Sequence, residues 1–252
     1  MAREMQTMTS KAKLYIATIT TLSGTVLAAG VFRWNPENLP RFVLFFSLAM
    51  LASGMKVRLP GFKTNISLSF VFVLVSIALF TFAETVLVGL AGALVQSLWK
   101  TQNRPKPVQV LFNAACLTVC TAAAFLAPRY VLATLGINSL PALMVLGACV
   151  YLVLNTGFVS LVISLVEQRP LKGLWSSCYE WTFPYFLVGT AVAGLASAAS
   201  RGTAWGATLL VLPAMYFVYL YYRIHIVRAV LESVAKLSQA NHAAQVGAYR
   251  DR

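Results

Sequence analysis

The sequence predicts an all-α fold, a polytopic integral membrane helical bundle of about eight transmembrane helices with both termini cytoplasmic. Three observations carry that expectation. The chain of 252 residues is 59% hydrophobic and only 11% charged, with a mean hydropathy of +0.74, which is outside the habit of a water-soluble domain. Its apolar residues fall in runs long enough to cross a hydrocarbon core of about 30 Å at about 1.5 Å per residue. Its twenty Lys and Arg lie almost entirely between those runs, where basic side chains set topology and meet anionic lipid. A net charge of +13 would suggest nucleic acid in a soluble protein; here its placement argues for the lipid bilayer as partner and against nucleic acid.

Residues 1–13 form a polar cytoplasmic N-terminus with Arg3, Lys11 and Lys13. The membrane domain is expected over residues 14–222. Its first span, Leu14–Phe32, could be mistaken for a signal peptide because Val26 and Ala28 make a passable cleavage site, but the run is Thr-rich and continues past it. The second, Leu39–Met55, opens with Pro40 in the first turn, where a missing donor costs little. Residues 66–99 are apolar throughout except for Glu84. As one helix they would run about 51 Å, too long for one crossing, so a tight hairpin near Thr81–Glu84 is expected. Val108–Ala127, Leu140–Val166, Trp181–Ser200 and Thr203–Tyr222 complete the set, the last kinked by Pro213, which removes a bond to the Leu209 carbonyl.

The distribution of charge tests this layout. With eight spans and the N-terminus inside, sixteen of the twenty Lys and Arg are cytoplasmic and four are not. If residues 66–99 crossed only once, every later loop would change sides and the split would be eight to twelve. The positive-inside rule favours the former.

Residues 223–252 form a cytoplasmic tail of different character. Val227, Val230, Val234, Leu237, Asn241 and Ala244 fall on alternating steps of three and four. That spacing leaves open a dimeric coiled coil, which would make the protein a homodimer, and an amphipathic helix lying on the inner leaflet.

The marked polar positions concentrate in Cys149–Gly189, around which the chain reads as organised. Asn155 and Thr156 interrupt an apolar helix, and the Asn155 amide must find a partner there or lose free energy. Trp175, Tyr179, Trp181 and Tyr185 crowd one boundary, at the depth where amphipathic rings sit well. Glu84 is either solvated at the outer turn of the hairpin or, if it tips inward, a cation or proton site. Asn113 and Asn155 are expected at different depths, each bonding a neighbouring helix or a ligand. Ligand-binding candidates are therefore Glu84, Asn113, Asn155, Trp181 and Tyr185; signalling-helix candidates are Pro213, Val227, Val234 and Asn241.

The small residues Gly89, Gly92 and Ala93, then Gly189, Ala193 and Ser197, and Gly202 with Gly206 allow close helix approach. Cys116 and Cys120, one turn apart in an apolar run, read as packing. Neither a catalytic constellation nor a metal-ligand cluster is present in the sequence, so no enzymatic activity, metal or cofactor is expected.

The run YLVLNTGFVSLVISLVEQRPLKGLW, followed by EWTFPYFLVGTAVAGL, resembles the multi-span N-terminal membrane region of bacterial signalling proteins that end in HD-GYP or GGDEF domains. The likeness extends upstream through the hairpin of residues 66–99 and VLFNAACLTV around Asn113, covering roughly residues 40–222. It implies a sensory input module of the bacterial inner membrane, working in cyclic-dinucleotide signalling and passing a cue through its last span to a cytoplasmic effector domain. The departure is that no HD pair, GYP triplet or GGDEF run is present, so a stand-alone relative, a truncated chain or a partner-supplied output is expected. The competing reading is a small-solute transporter or its substrate-binding membrane subunit, favoured by the short hairpin and the Pro- and Gly-interrupted helices.

Overall fold

A computed structural model describes residues 9–58, 65–67, 69–99 and 105–202, with eight helical positions between 224 and 238. Seven helices lie in the continuous part. These are α1 (Ser10–Phe32), α2 (Leu39–Ser53), α3 (Ser69–Leu79), α4 (Phe82–Leu98), α5 (Pro107–Thr134), α6 (Leu140–Glu167) and α7 (Leu171–Gly202). Two three-residue strands, β1 (Lys56–Arg58) and β2 (Asn65–Ser67), pair antiparallel in the basic connection between α2 and α3. That pairing carries no signal in the apolar pattern.

Consecutive helices run antiparallel. The Thr9 hydroxyl, at the start of α1, donates to the Leu165 carbonyl near the end of α6, and the Tyr15 hydroxyl donates to Phe158 O, 3.3 Å away. Gly54, at the end of α2, lies against Trp99, at the end of α4. The ends of α1, α3, α5 and α7 therefore point one way and those of α2, α4 and α6 the other. α1 packs into the bundle through Ala12, Ile16, Ile19 and Ser23, all buried.

The apolar run of residues 66–99 does fold back on itself. Phe80 and Thr81 leave the helix, and the Thr85 hydroxyl donates back across the turn to Ser76 O at 3.0 Å. Further down, Gly92 faces Ser69. The cause is local. Thr81 is an extended N-cap whose side chain accepts from Glu84 N, while Glu84 reaches back to the Thr81 N–H, a capping box that starts α4 afresh.

α3 has 11 residues and spans only about 16 Å, half of a hydrocarbon core of about 30 Å. Every residue from Ser69 to Ile77 is buried, and a helix apolar and buried on all sides is a core helix. The bundle is thus organised around α3 rather than around Cys149–Gly189. Phe70 stacks on Phe186 of α7 at 3.9 Å between centroids and on Tyr151 of α6 at 5.5 Å, and Phe72 packs on Phe45 of α2.

Among the described residues three helices, α1, α5 and α6, are long and apolar enough by length and composition to cross a membrane, while α2, α3, α4 and Phe186–Ser197 of α7 are shorter apolar stretches. Of the eight expected spans, these three have the length and composition to cross, and Thr203–Tyr222 lies outside the described residues. A hairpin that returns to its starting side leaves the sidedness of later loops unchanged, so the charge argument holds whether or not α3 and α4 cross.

Two boundaries also differ. α5 does not stop at Ala127 but runs through Pro128 to Thr134. Pro128 cannot donate to the Ala124 carbonyl, and that carbonyl lies beside Gly147 of α6. The helix ends where Gly136 takes φ +67 and the Ile137 N–H closes on Leu132 O at 2.9 Å, the wide closing bond of a left-handed cap. α7 begins at Leu171, so Trp181 lies ten residues inside a helix rather than at the head of one.

Candidate functional site

Small residues place the polar ones. A Cβ on Gly89 would collide with the Thr121 side chain of α5, and one on Gly189 would meet Val71 Cγ2 at 2.9 Å and Phe70 Cε1 at 3.0 Å. Gly92 faces Ser53 and Ser69, and Ala93, Ala193 and Ser197 are fully buried. The close approach expected of these six residues is therefore present; the surroundings of Gly202, and Gly206 itself, lie outside what the structure describes.

At the turn of the α3–α4 hairpin, Glu84 is 2% exposed, which corrects the solvated reading. Its Oε2 accepts from the Thr81 amide at 2.9 Å and the Thr81 hydroxyl at 2.8 Å. Its Oε1 is buried and has no hydrogen-bond partner among the described residues. A buried acceptor left without a donor costs about 1–3 kcal/mol, so this oxygen is the place where an arriving donor or cation would gain most. Across the hairpin tip, Arg129 of α5 donates through Nη1 to Phe125 O at 2.9 Å and through Nη2 to Ile77 O in the last turn of α3. Its guanidinium lies over the Phe125 ring, 3.6 Å from the centroid. Both ends of the hairpin turn are thus held by ionisable side chains, one acidic and one basic.

Asn113 sits toward the other end of the bundle. Its amide donates to Ser97 Oγ at 2.7 Å and to Ala93 O at 3.5 Å, tying α5 to α4. Ser97 and Glu84 are about 20 Å apart along α4 at 1.5 Å per residue, so these two candidates do not share a site. Asn155 is half-buried and makes no hydrogen bond among the described residues. The polar interior point of α6 is instead its neighbour Thr156, 4% exposed, which donates to Leu152 O at 2.6 Å and accepts from Trp175 Nε1 at 3.2 Å. That bond joins α6 to the first turns of α7.

The backbones of Trp181 and Tyr185 belong to α7, but their side chains lie outside the described residues, as do Pro213 and Asn241. Val227 and Val234 are helical and exposed, at 51% and 57%, with Ile224 and Leu231 exposed beside them. Cys116 and Cys120 are buried in the core, as packing requires, and Cys149 is exposed.

The sequence candidates do not include Arg129, Tyr15, Thr156 or Trp175, although the sequence marks Thr156 beside Asn155 and Trp175 at the aromatic boundary. Arg129 reads as a loop charge in the sequence because the expected span stops at Ala127, whereas α5 continues to Thr134. Thr156 was overshadowed by the more polar Asn155 beside it, although a hydroxyl can bond within its own helix and an amide cannot so easily.

With this geometry in view, one comparison is decisive: a family model, MASE9, matches residues 25–197. The chain belongs to the MASE9 family. MASE9 is a family of membrane-associated sensor domains, and the matched region contains the whole α3–α4 hairpin, Asn113, Thr156, Arg129 and the packed part of α7 up to Ser197. The family agrees with the membrane-sensor side of the resemblance carried by residues 155–189. No curated protein and no solved structure matches the chain.

Proposed function

We propose that this MASE9 chain is an input module of the bacterial inner membrane that relays a membrane or extracytoplasmic cue, through the helix following α7, to a cytoplasmic effector of the HD-GYP or GGDEF kind. The observation that carries the reading is the exposed apolar stripe Ile224, Val227, Leu231 and Val234 on helical residues beyond a family-matched sensor bundle. Steps of three, four and three put these side chains on one face, suited to a second copy or to an effector helix. On this reading the chain is a receptor, not a catalyst, and its basic ends meet anionic lipid.

A ligand can move such a device only by the difference in its affinity for two helix arrangements. The buried α3, wedged between α2, α6 and α7, is the element whose displacement would reach α7. The transporter reading draws on the same short hairpin, since broken or short helices can line a midplane site.

Topology and output test the proposal together. A periplasm-active reporter fused after Arg252 should be silent and a cytoplasm-active one bright. A diguanylate cyclase domain fused at the same point should change its activity when Val227 and Val234 are both replaced by Asp. An external C-terminus, or cyclase activity indifferent to those substitutions, would sink the relay. Solute uptake into vesicles would favour the transporter.

A further inference from the structure

Cys116 and Cys120 lie one turn apart on α5, and both are buried. Packing asks for small apolar side chains, and the same helix supplies alanine for that purpose at Ala114, Ala115, Ala122 and Ala124. Alanine cannot do what these two thiols do, which is to hydrogen-bond each other. The Tyr15 hydroxyl of α1 lies beside both of them, and its ring packs on Phe112, one turn earlier on α5, at 6.0 Å between centroids. That hydroxyl is lightly held. Its bond to Phe158 O is long, at 3.3 Å, so a stronger acceptor close by would draw it away.

The spacing selects the chemistry. Residues four apart on a helix hold their Cβ atoms about 5–6 Å apart, whereas a disulfide needs about 3.5–4.5 Å, so an intact α5 opposes oxidation of the pair. Two collinear metal–thiolate bonds, at the zinc value of about 2.3 Å each, put the sulfurs about 4.6 Å apart. Rotation about χ1 brings the two side chains to that separation with the helix undisturbed. Zinc itself asks for four ligands, and the described residues hold no group of three or more His, Cys, Asp or Glu suited to a metal. Two thiolates alone suit a soft monovalent ion that is satisfied by two collinear bonds.

We infer that Cys116 and Cys120 bind one copper(I) ion between α5 and α1. Two thiol protons leave as the ion enters, both sulfurs bind as thiolates, and the site keeps one net negative charge with no change of oxidation state. The Tyr15 hydroxyl turns from Phe158 O to a bound sulfur and, as a positioning donor, offsets that charge. A cue-receiving role for the ion rests on the sensor reading above; the binding does not. The link to that reading is direct, because the turn of Tyr15 releases a bond that ties α1 to α6 and leaves the one from Thr9 to Leu165 O.

The test titrates the reduced, purified full chain in phosphatidylcholine nanodiscs with copper(I) under argon, in competition with the coloured copper(I) complex of bicinchoninate. One copper per chain and two protons released per copper are expected, with zinc(II) at least tenfold weaker. Cys116→Ser and Cys120→Ser should each abolish this binding, and Tyr15→Phe should weaken it about tenfold at unchanged stoichiometry.

Of the four cysteines, Cys149 and Cys178 are both replaced by Ser in a control chain, which should bind copper as the wild type does and show two sulfur neighbours by X-ray absorption. That chain keeps the test valid if either single variant fails to fold. Absence of copper(I) binding by the wild type, loss of the ion from the control chain, its retention by Cys116→Ser, or zinc(II) bound as tightly as copper(I), overturns the proposal. The titration contains no output domain, so its failure is distinct from a silent cyclase fusion.

Discussion

At the scale of single residues, the interior shows which polar side chains are anchors and which are merely present. Asn113 bonds across a helix interface and Asn155 does not, although both were equally marked in the sequence. A double-mutant cycle of Asn113→Ala with Ser97→Ala, followed by thermal unfolding in detergent, should return a coupling of about 1 kcal/mol. Asn155→Ala should change stability by less than about 0.5 kcal/mol. The glycines give a sharper contrast. Gly189→Ala thrusts a methyl at Val71 and Phe70, both buried with no room to withdraw, and overpacking of this kind costs about 1–3 kcal/mol. Val71→Ala should restore part of the loss in the double variant. Unchanged melting in Gly189→Ala would show that α7 does not lie on α3 as described.

At the scale of elements, the hairpin turn depends on a cap rather than on glycine or proline. Thr81→Ala removes the side-chain acceptor for Glu84 N and a donor to Oε2 and should cost about 1 kcal/mol, read as a lower midpoint of unfolding. Thr81→Ser should retain most of the stability. The signal was legible, because Thr81-Phe82-Ala83-Glu84 is a capping-box spacing. Length arithmetic alone put the hairpin in the right place, while the box that explains it went unread. Where the sequence misled is the end of α5, expected at Ala127 and found at Thr134. The helix runs through Pro128, which gives up only the bond to the Ala124 carbonyl, and ends at Thr134. The extra turn carries Arg129 onto the tip of the hairpin, a contact that only tertiary packing could reveal.

At the scale of the whole molecule, the alternation of helix direction assigns each connection to one end of the bundle. In a cysteine-free background, Trp34→Cys and Ile137→Cys should react with an impermeant maleimide from one side of the membrane, and Lys106→Cys and Arg169→Cys only from the other. One of the four reacting with the wrong pair would break the arrangement. The general class and the return of the chain at residues 80–81 followed from hydropathy, length and charge. The centre of the bundle did not. Hydropathy ranks α3 with the lipid-facing helices, since Leu, Val and Phe look alike whether they meet acyl chains or other side chains. Only the contacts distinguish an eleven-residue helix enclosed by protein from one bathed in lipid.

That enclosure has a consequence for biogenesis. The surroundings of α3 include α6 and α7, which the ribosome makes later, and Phe186 and Gly189 are among the residues that close around it. Until they emerge, the hairpin is too short to hold a place in the bilayer by itself and exposes serine and threonine hydroxyls that it will eventually bury. Nascent chains halted before α7 should therefore be substrates for membrane quality-control proteases, and completion of that one helix should mark the moment at which the domain escapes them.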